Sequence, residues 1–181
     1  MSRLTIHSDT NPQMPLLDTQ NLAQIQAELL KISVQFERWH LDKDLPENAD
    51  NSAIIQAYQN EINELIKERG YQSYDIVTMN PDKPNKKEFR QKFLSEHIHI
   101  EDEIRFFVRG QGLFVLHIGG KIFSILCQKD DLISVPANTK HWFDMGPNPA
   151  FTVIRIFDNP AGWVAKYTGS MIADQFPKLE N

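Results

Sequence analysis

Between Glu96 and Arg105 the chain reads Glu-His-Ile-His-Ile-Glu-Asp-Glu-Ile-Arg. Imidazole nitrogens and carboxylate oxygens are the donors that divalent first-row metals take. In a strand, residues two apart share a face, so His97 and His99 can offer two nitrogens to one ion. Glu103 stands six residues past His97, roughly 20 Å away along a straight strand. Donors to one ion sit about 2.0–2.2 Å from it, so the chain must turn between His99 and Glu103. Ile100-Glu101-Asp102 is the candidate bend. Past it, Glu103, Arg105 and Phe107 share one face. Taken singly, each is an ordinary strand residue with a solvated polar side chain. As a group, two histidines at period two flanked by acids are costly to bury without a cation.

A second stretch, Asp131 to Phe143, runs from apolar residues through Pro136-Ala137-Asn138 to His141. Proline presets its own φ and asparagine tolerates the left-handed conformation. Such a turn can swing His141 back toward the first pair. Three histidines and one glutamate leave open positions on an octahedral ion, as metal-assisted catalysis requires. On its own, His141 reads as a capping or surface residue.

The two stretches together resemble the two motifs of the cupin superfamily. His97, His99, Glu103 and Gly110 match the first; Pro136 and His141 match the second. Gln91 replaces the leading glycine of the first motif. Asn138 replaces the glycine of the second motif's turn, and Met145 its closing asparagine. The ligand positions are unchanged.

The elements around these motifs must position them. The chain has 181 residues, 41% hydrophobic and 24% charged, the balance of one soluble globular domain. A formal net charge of −5 argues against nucleic acid as a partner. No apolar run has the length of a membrane span, and the N-terminus lacks the apolar core of a signal peptide, so a cytoplasmic location is expected. The single cysteine, Cys127, lies in an apolar strand pattern and reads as a buried small residue.

Leu4–Ile6 is expected as a short edge strand, followed by an irregular connection at Asn11-Pro12 and Met14-Pro15. A helix capped by Asp18 or Thr19 would carry Leu22, Ile25, Leu29, Ile32, Phe36 and Trp39 on one face. After a loop at Leu45-Pro46-Glu47-Asn48, a second helix capped by Ser52 would carry Ile54, Ile55, Tyr58, Ile62, Leu65 and Ile66. Lys67 and Arg69 suit its C-terminal dipole, and Gly70 closes it. Asp75–Met79 reads as a strand. Residues 80–92 are Pro-rich and basic, either a solvated face or, through 83–92, a mobile cover over the site. From the His-x-His stretch onward the pattern is all strand. Gly119-Gly120 marks a hairpin, and Phe151–Asp158 closes the set. His117 reads as non-ligating. Arg155 shares a face with Phe151, Val153 and Phe157, so it demands an anion. Arg105 poses the same demand. Both are either structural ion pairs, with Glu101 or Asp102 as partners, or cations lining an anion-binding cavity.

His97-Ile-His-Ile-Glu-Asp-Glu-Ile-Arg-Phe with Pro136-Ala-Asn-Thr-Lys-His-Trp-Phe is more specific than a bare cupin motif and resembles the bacterial acireductone dioxygenases. The resemblance implies a mainly β fold, a cupin double-stranded β-helix (a jelly-roll-like barrel) with N-terminal helices packed outside. It implies one domain, 1–181, divided into a helical extension with one strand (1–80), a metal-binding barrel core (93–158) and a C-terminal segment (159–181). It implies one Fe2+ or Ni2+ held by His97, His99, Glu103 and His141. It gives Arg105 the task of generating or stabilising a substrate dianion, Glu96 a part in metal incorporation, and Asp102 one in transmitting local structural change. Arg155, Phe93, Phe143 and Trp163 would line the pocket, and Phe107 and Trp142 would also suit an apolar tail; Glu101 is the nearest carboxylate for a free base. The substrate implied is the enediol 1,2-dihydroxy-3-keto-5-methylthiopentene, cleaved with O2 in methionine salvage by a monomer. Rival expectations are a quercetinase-like dioxygenase, a sugar isomerase, or a non-catalytic cupin that binds a small anion.

Overall fold

The computed structural model describes residues 1–40, 45–46, 48–157 and 164–180, with only the backbone of Arg69. Among them, twelve strands form two antiparallel sheets. The first has the order β12 (Lys166–Tyr167), β5 (His97–Ile98), β10 (Lys140–Asp144), β7 (Gln111–Ile118), β8 (Lys121–Gln128), β1 (Arg3–Ser8), β2 (Asn11–Thr19). The second has the order β3 (Gln35–Arg38), β9 (Asp131–Val135), β6 (Glu103–Arg109), β11 (Phe151–Phe157), β4 (Ser73–Met79). This is the mainly β, jelly-roll-like architecture expected.

Period-two alternation separates the cores. Phe107, Ile133, Val135 and Val153 of the second sheet meet Leu4, Ile6, Phe114, Leu116 and Ile125 of the first in the interior between the sheets. The alternate residues Ile104, Phe106, Leu132, Ile154 and Ile156 point the other way and pack under Ile54, Tyr58, Ile62 and Leu65 of α2 (Asn51–Ala57) and α3 (Gln59–Arg69). With both faces covered, β9 is buried at all five positions, as a doubly covered strand must be. Trp39 stacks on Phe106, and Tyr58 meets the same ring edge-on.

Several local expectations are corrected. The periodic stretch 22–39 is not one helix. α1 (Leu22–Leu30) ends near Ser33, whose φ is 61°, and Phe36 lies on β3 paired with Ile133. Its cap is Asn21, whose side chain accepts from the Gln24 amide at 3.0 Å. Asp50, not Ser52, caps α2, and a break at Tyr58 separates α2 from α3. β1 is an interior strand, and the supposed irregular segment is β2, the edge of its sheet. Pro12 and Pro15 are tolerated there because an edge strand has one side with no amide to give. The basic run contains a helix, α4 (Lys86–Leu94). The N-terminal 80 residues contribute four strands, β2 and β3 in addition to the two expected at Leu4–Ile6 and Asp75–Met79. Gly70 does close α3 in the left-handed conformation, at φ 77°.

Candidate metal centre

His97 stands on β5 directly opposite His141 on β10. The chain bends at Ile100 and Glu101 and crosses to the other sheet, where β6 begins with Glu103. The predicted turn therefore exists, and it carries the glutamate from one sheet to the other. The second turn is clasped to the first motif at two points. The Asn138 amide donates to the His99 carbonyl at 2.7 Å, and the Ala137 amide donates to Asp102 Oδ1 at 2.9 Å. Asn138 adopts φ 63°, which explains why asparagine can stand where glycine is usual.

The ligand atoms of His97, His99 and His141 lie within 4.8 Å of one another, and all three residues are buried. Donors bound at about 2.1 Å to one ion stand roughly 3–4 Å apart, so the cluster is near the size of a coordination shell. Glu103 Oε2 is 2.8 Å from His141 Nε2 and 4.0 Å from His99 Nε2. His97 and His141 each turn Nδ1 to a backbone carbonyl, Ser95 and Thr139, at 2.7 Å. Nδ1–H must be the donor there, which leaves Nε2 of each ring as the free lone pair. His141 Nε2 and Glu103 Oε2 are buried atoms without an aligned hydrogen bond. Orphaned buried donors of this kind are what a cation would satisfy.

The electrostatics agree. Burial, and then the proximity of His141, lowers the His97 pKa to about 4. His99 is lowered as well, chiefly by burial. For Glu103, burial alone would favour the neutral acid, but Arg105 and then His141 overcome it and hold the carboxyl well below the usual range. Burial opposes a charge on His141 too, yet the Glu103 carboxylate outweighs it and raises that pKa. The Glu103 carboxylate, 2.8 Å from His141 Nε2, thus favours positive charge at that point. A divalent cation would supply that charge.

The cluster opens into a cavity of about 590 Å³ between the sheets. Beside the ligands stands Arg105, whose Nη2 is 2.7 Å from Glu103 Oε1. Arg155 faces Arg105 across the strand pair and is held by both oxygens of Asp75, with Nε to Oδ1 at 2.7 Å. The ion-pair partners they hold are Glu103 for Arg105 and Asp75 for Arg155, rather than the Glu101 or Asp102 expected. Apolar side chains make up much of the rest: Val77, Met79, Phe93, Phe143, Phe151 and Val153.

Of the expected pocket residues, Arg105, Arg155, Phe93, Phe107 and Phe143 line the cavity. Trp163 lies outside the described residues, as do Glu47 and Asp158. Trp142 is corrected: its neighbour Phe143 takes the inward position, and Trp142 packs with Val115 and Phe176 on the opposite face. Glu101 is not among the lining residues. Glu96 also points away from the cluster, which alternation with His97 requires. His117 joins no metal cluster among the described residues; its Nδ1 is 2.7 Å from Glu96 Oε2. Sequence reasoning missed Val77 and Met79, although their period-two spacing with Asp75 on one strand was a usable signal. It missed Val164, Ala165 and Tyr167, for which no local pattern exists.

A family model described as the ARD/ARD' family matches residues 3–165. The chain is 57% identical over 180 residues to the acireductone dioxygenase of Serratia proteamaculans, spanning 99% of this chain and 100% of the relative. It is 56% identical, with the same coverage, to that of Yersinia enterocolitica. Among solved structures it is similar to an acireductone dioxygenase from Bacillus anthracis with a cadmium ion in the active centre. The TM-score is 0.82 at 31% identity, over 92% of this chain and 98% of that one. A match running over nearly the whole length, on a fold that gathers three histidines at one buried point, places the chain in the ARD/ARD' family of the cupin superfamily.

Proposed function

We propose that this chain is a metal-dependent acireductone dioxygenase that cleaves 1,2-dihydroxy-3-keto-5-methylthiopentene with O2, in methionine salvage. The observation that carries the reading is the juxtaposition, in one cavity, of a buried three-histidine cluster with Glu103, the Arg105 guanidinium and an apolar wall. His97, His99, Glu103 and His141 would hold one Fe2+ or Ni2+. When bound, that ion supplies Lewis-acid charge that favours the ionised enediol. Arg105 adds a fixed positive charge at the same end of the cavity, so the deprotonated substrate is the form held there. Asp75 fixes Arg155 as a second cation with its guanidinium plane set. Phe93, Phe143, Phe151 and Val153 exclude water and suit a methylthio tail. Asp102 holds the turn that aims His141.

Iron would direct cleavage to formate and 2-keto-4-methylthiobutanoate, and nickel to formate, carbon monoxide and 3-methylthiopropanoate. The donor set suits both ions. The chain would act as a monomer in the cytoplasm; no helix among the described residues is long and apolar enough to cross a membrane. The test is to load purified protein with iron or with nickel, add the enediol without air, then admit oxygen. Oxygen uptake with formate in both samples, and carbon monoxide only with nickel, is the expected result. Metal-loaded protein that consumes no oxygen would overturn the assignment.

A further inference from the structure

Behind His97, a polar chain centred on the buried Glu96 joins four separate segments, through half-buried His117 and Asp9 and the exposed Thr168. Glu96 is 2% exposed, and both carboxylate oxygens are engaged. Oε1 accepts from the Thr168 hydroxyl at 2.7 Å, and Oε2 meets His117 Nδ1 at 2.7 Å. His117 Nε2 lies 3.4 Å from Asp9 Oδ2. The Thr168 amide also donates to the Glu96 carbonyl at 3.1 Å. Two residues earlier the same segment forms β12, which pairs Tyr167 with His97 and Lys166 with Ile98. Tyr167 lays its ring against His97, with centroids 5.9 Å apart, and its hydroxyl donates to the Lys92 carbonyl at 3.4 Å. Val164, Ala165 and Tyr167 line the cavity.

A two-residue edge strand has few backbone bonds of its own, and Val164 and Tyr167 are 68% and 50% exposed. Burial therefore does little to seat this wall. The hydroxyl anchored on the buried Glu96 is a side-chain attachment that adds to those few backbone bonds.

We propose that Thr168 is a positioning residue: latched to Glu96, it seats residues 164–168 as a wall of the cavity and so sets how tightly the substrate is held. Glu96 is the anchor of that latch, a task separate from metal delivery. The inference rests on the functional reading above. It concerns substrate retention only, so chemistry and metal content stay unchanged when the latch is cut.

The test uses the metal-loaded full-length chain with Thr168→Val, which deletes the hydroxyl at constant shape and keeps the backbone amide. Thr168→Ser restores the donor. The valine variant is expected to keep its metal and to hold kcat within about twofold, while KM rises roughly three- to tenfold, the worth of one such bond. That split marks lost binding common to ground and transition states. The serine variant returns KM to near the wild-type value. Hydrogen exchange on the same samples gives a readout independent of activity. Amides of 164–168 should exchange faster in the valine variant, and those of β10 should not. Unchanged exchange at 164–168 would refute the latch whatever the protein's substrate. Faster exchange with an unchanged KM would refute its role in substrate retention. A serine variant as impaired as valine would also overturn the proposal.

Discussion

At the residue scale, three of the four ligand positions are biased toward the protonation state a cation needs. Burial keeps His97 and His99 neutral, and Arg105 keeps Glu103 ionised. Replacing His97 or His141 by Ala should lower bound metal by more than about tenfold after dialysis, with the far-UV dichroism of the β core retained. Retention of full metal in either variant would contradict the ligand set. Arg105→Ala is different, because Arg105 touches Glu103 but would not hold the ion. Metal should stay, and kcat should fall on the order of a hundredfold, as for loss of a positioned charge. The metal-free protein should also respond to pH with a definite sign. His97 falls from 6.5 to about 4 on folding, so the unfolded chain takes up that proton first. Its contribution to stability is present above about 6.5 and is lost as pH falls toward 4. The raised pKa of His141 acts in the opposite sense, losing stability as pH rises past 6.5. Melting temperatures between pH 7 and 5 should therefore drop more in wild type than in His97→Gln.

At the element scale, two turns bring the ligands together. Asp102→Ala leaves the Ala137 amide without its partner and loosens the turn that aims His141. The expected outcome is metal affinity weaker by roughly tenfold, measured by competition with a chelator, with Arg105 chemistry intact. These turns were legible in the sequence because metal-bond lengths demanded the first and Pro136-Asn138 announced the second. The Gly119-Gly120 hairpin was legible for a similar reason: both residues take positive φ. Stretches decided by distant pairing were not. Ile32, Phe36 and Trp39 continue a helical spacing, but Phe36 is drawn into β3 by its partner Ile133 on β9. Pro12 and Pro15 signal irregularity only until the strand is known to be an edge. The wall at 164–168 has no local signature, since its place depends on Glu96 and His97, some seventy residues earlier.

At the scale of the whole molecule, the ion would tie the two sheets to each other. His97 and His141 lie in one sheet, with His99 just past the end of β5, and Glu103 lies in the other, so metal binding is linked to global stability. With free metal at 100 times its dissociation constant, the gain is about 2.7 kcal/mol. For a chain of this length that is roughly 5–10 °C in melting temperature, which a chelator should remove. Gly110, between β6 and β7, bears on the same assembly. At φ 72° its Cβ would stand 1.9 Å from the Ala150 carbonyl oxygen, so Gly110→Ala should destabilise by more than about 2 kcal/mol with or without metal, read from denaturant midpoints.

The most direct measurement is X-ray absorption at the metal edge of the nickel-loaded protein, before and after adding the enediol without oxygen. Three imidazoles should scatter in both states, and the oxygen shell alone should change when substrate arrives. An ion ringed by oxygen with one imidazole or none, or a shell that substrate leaves untouched, would contradict the account.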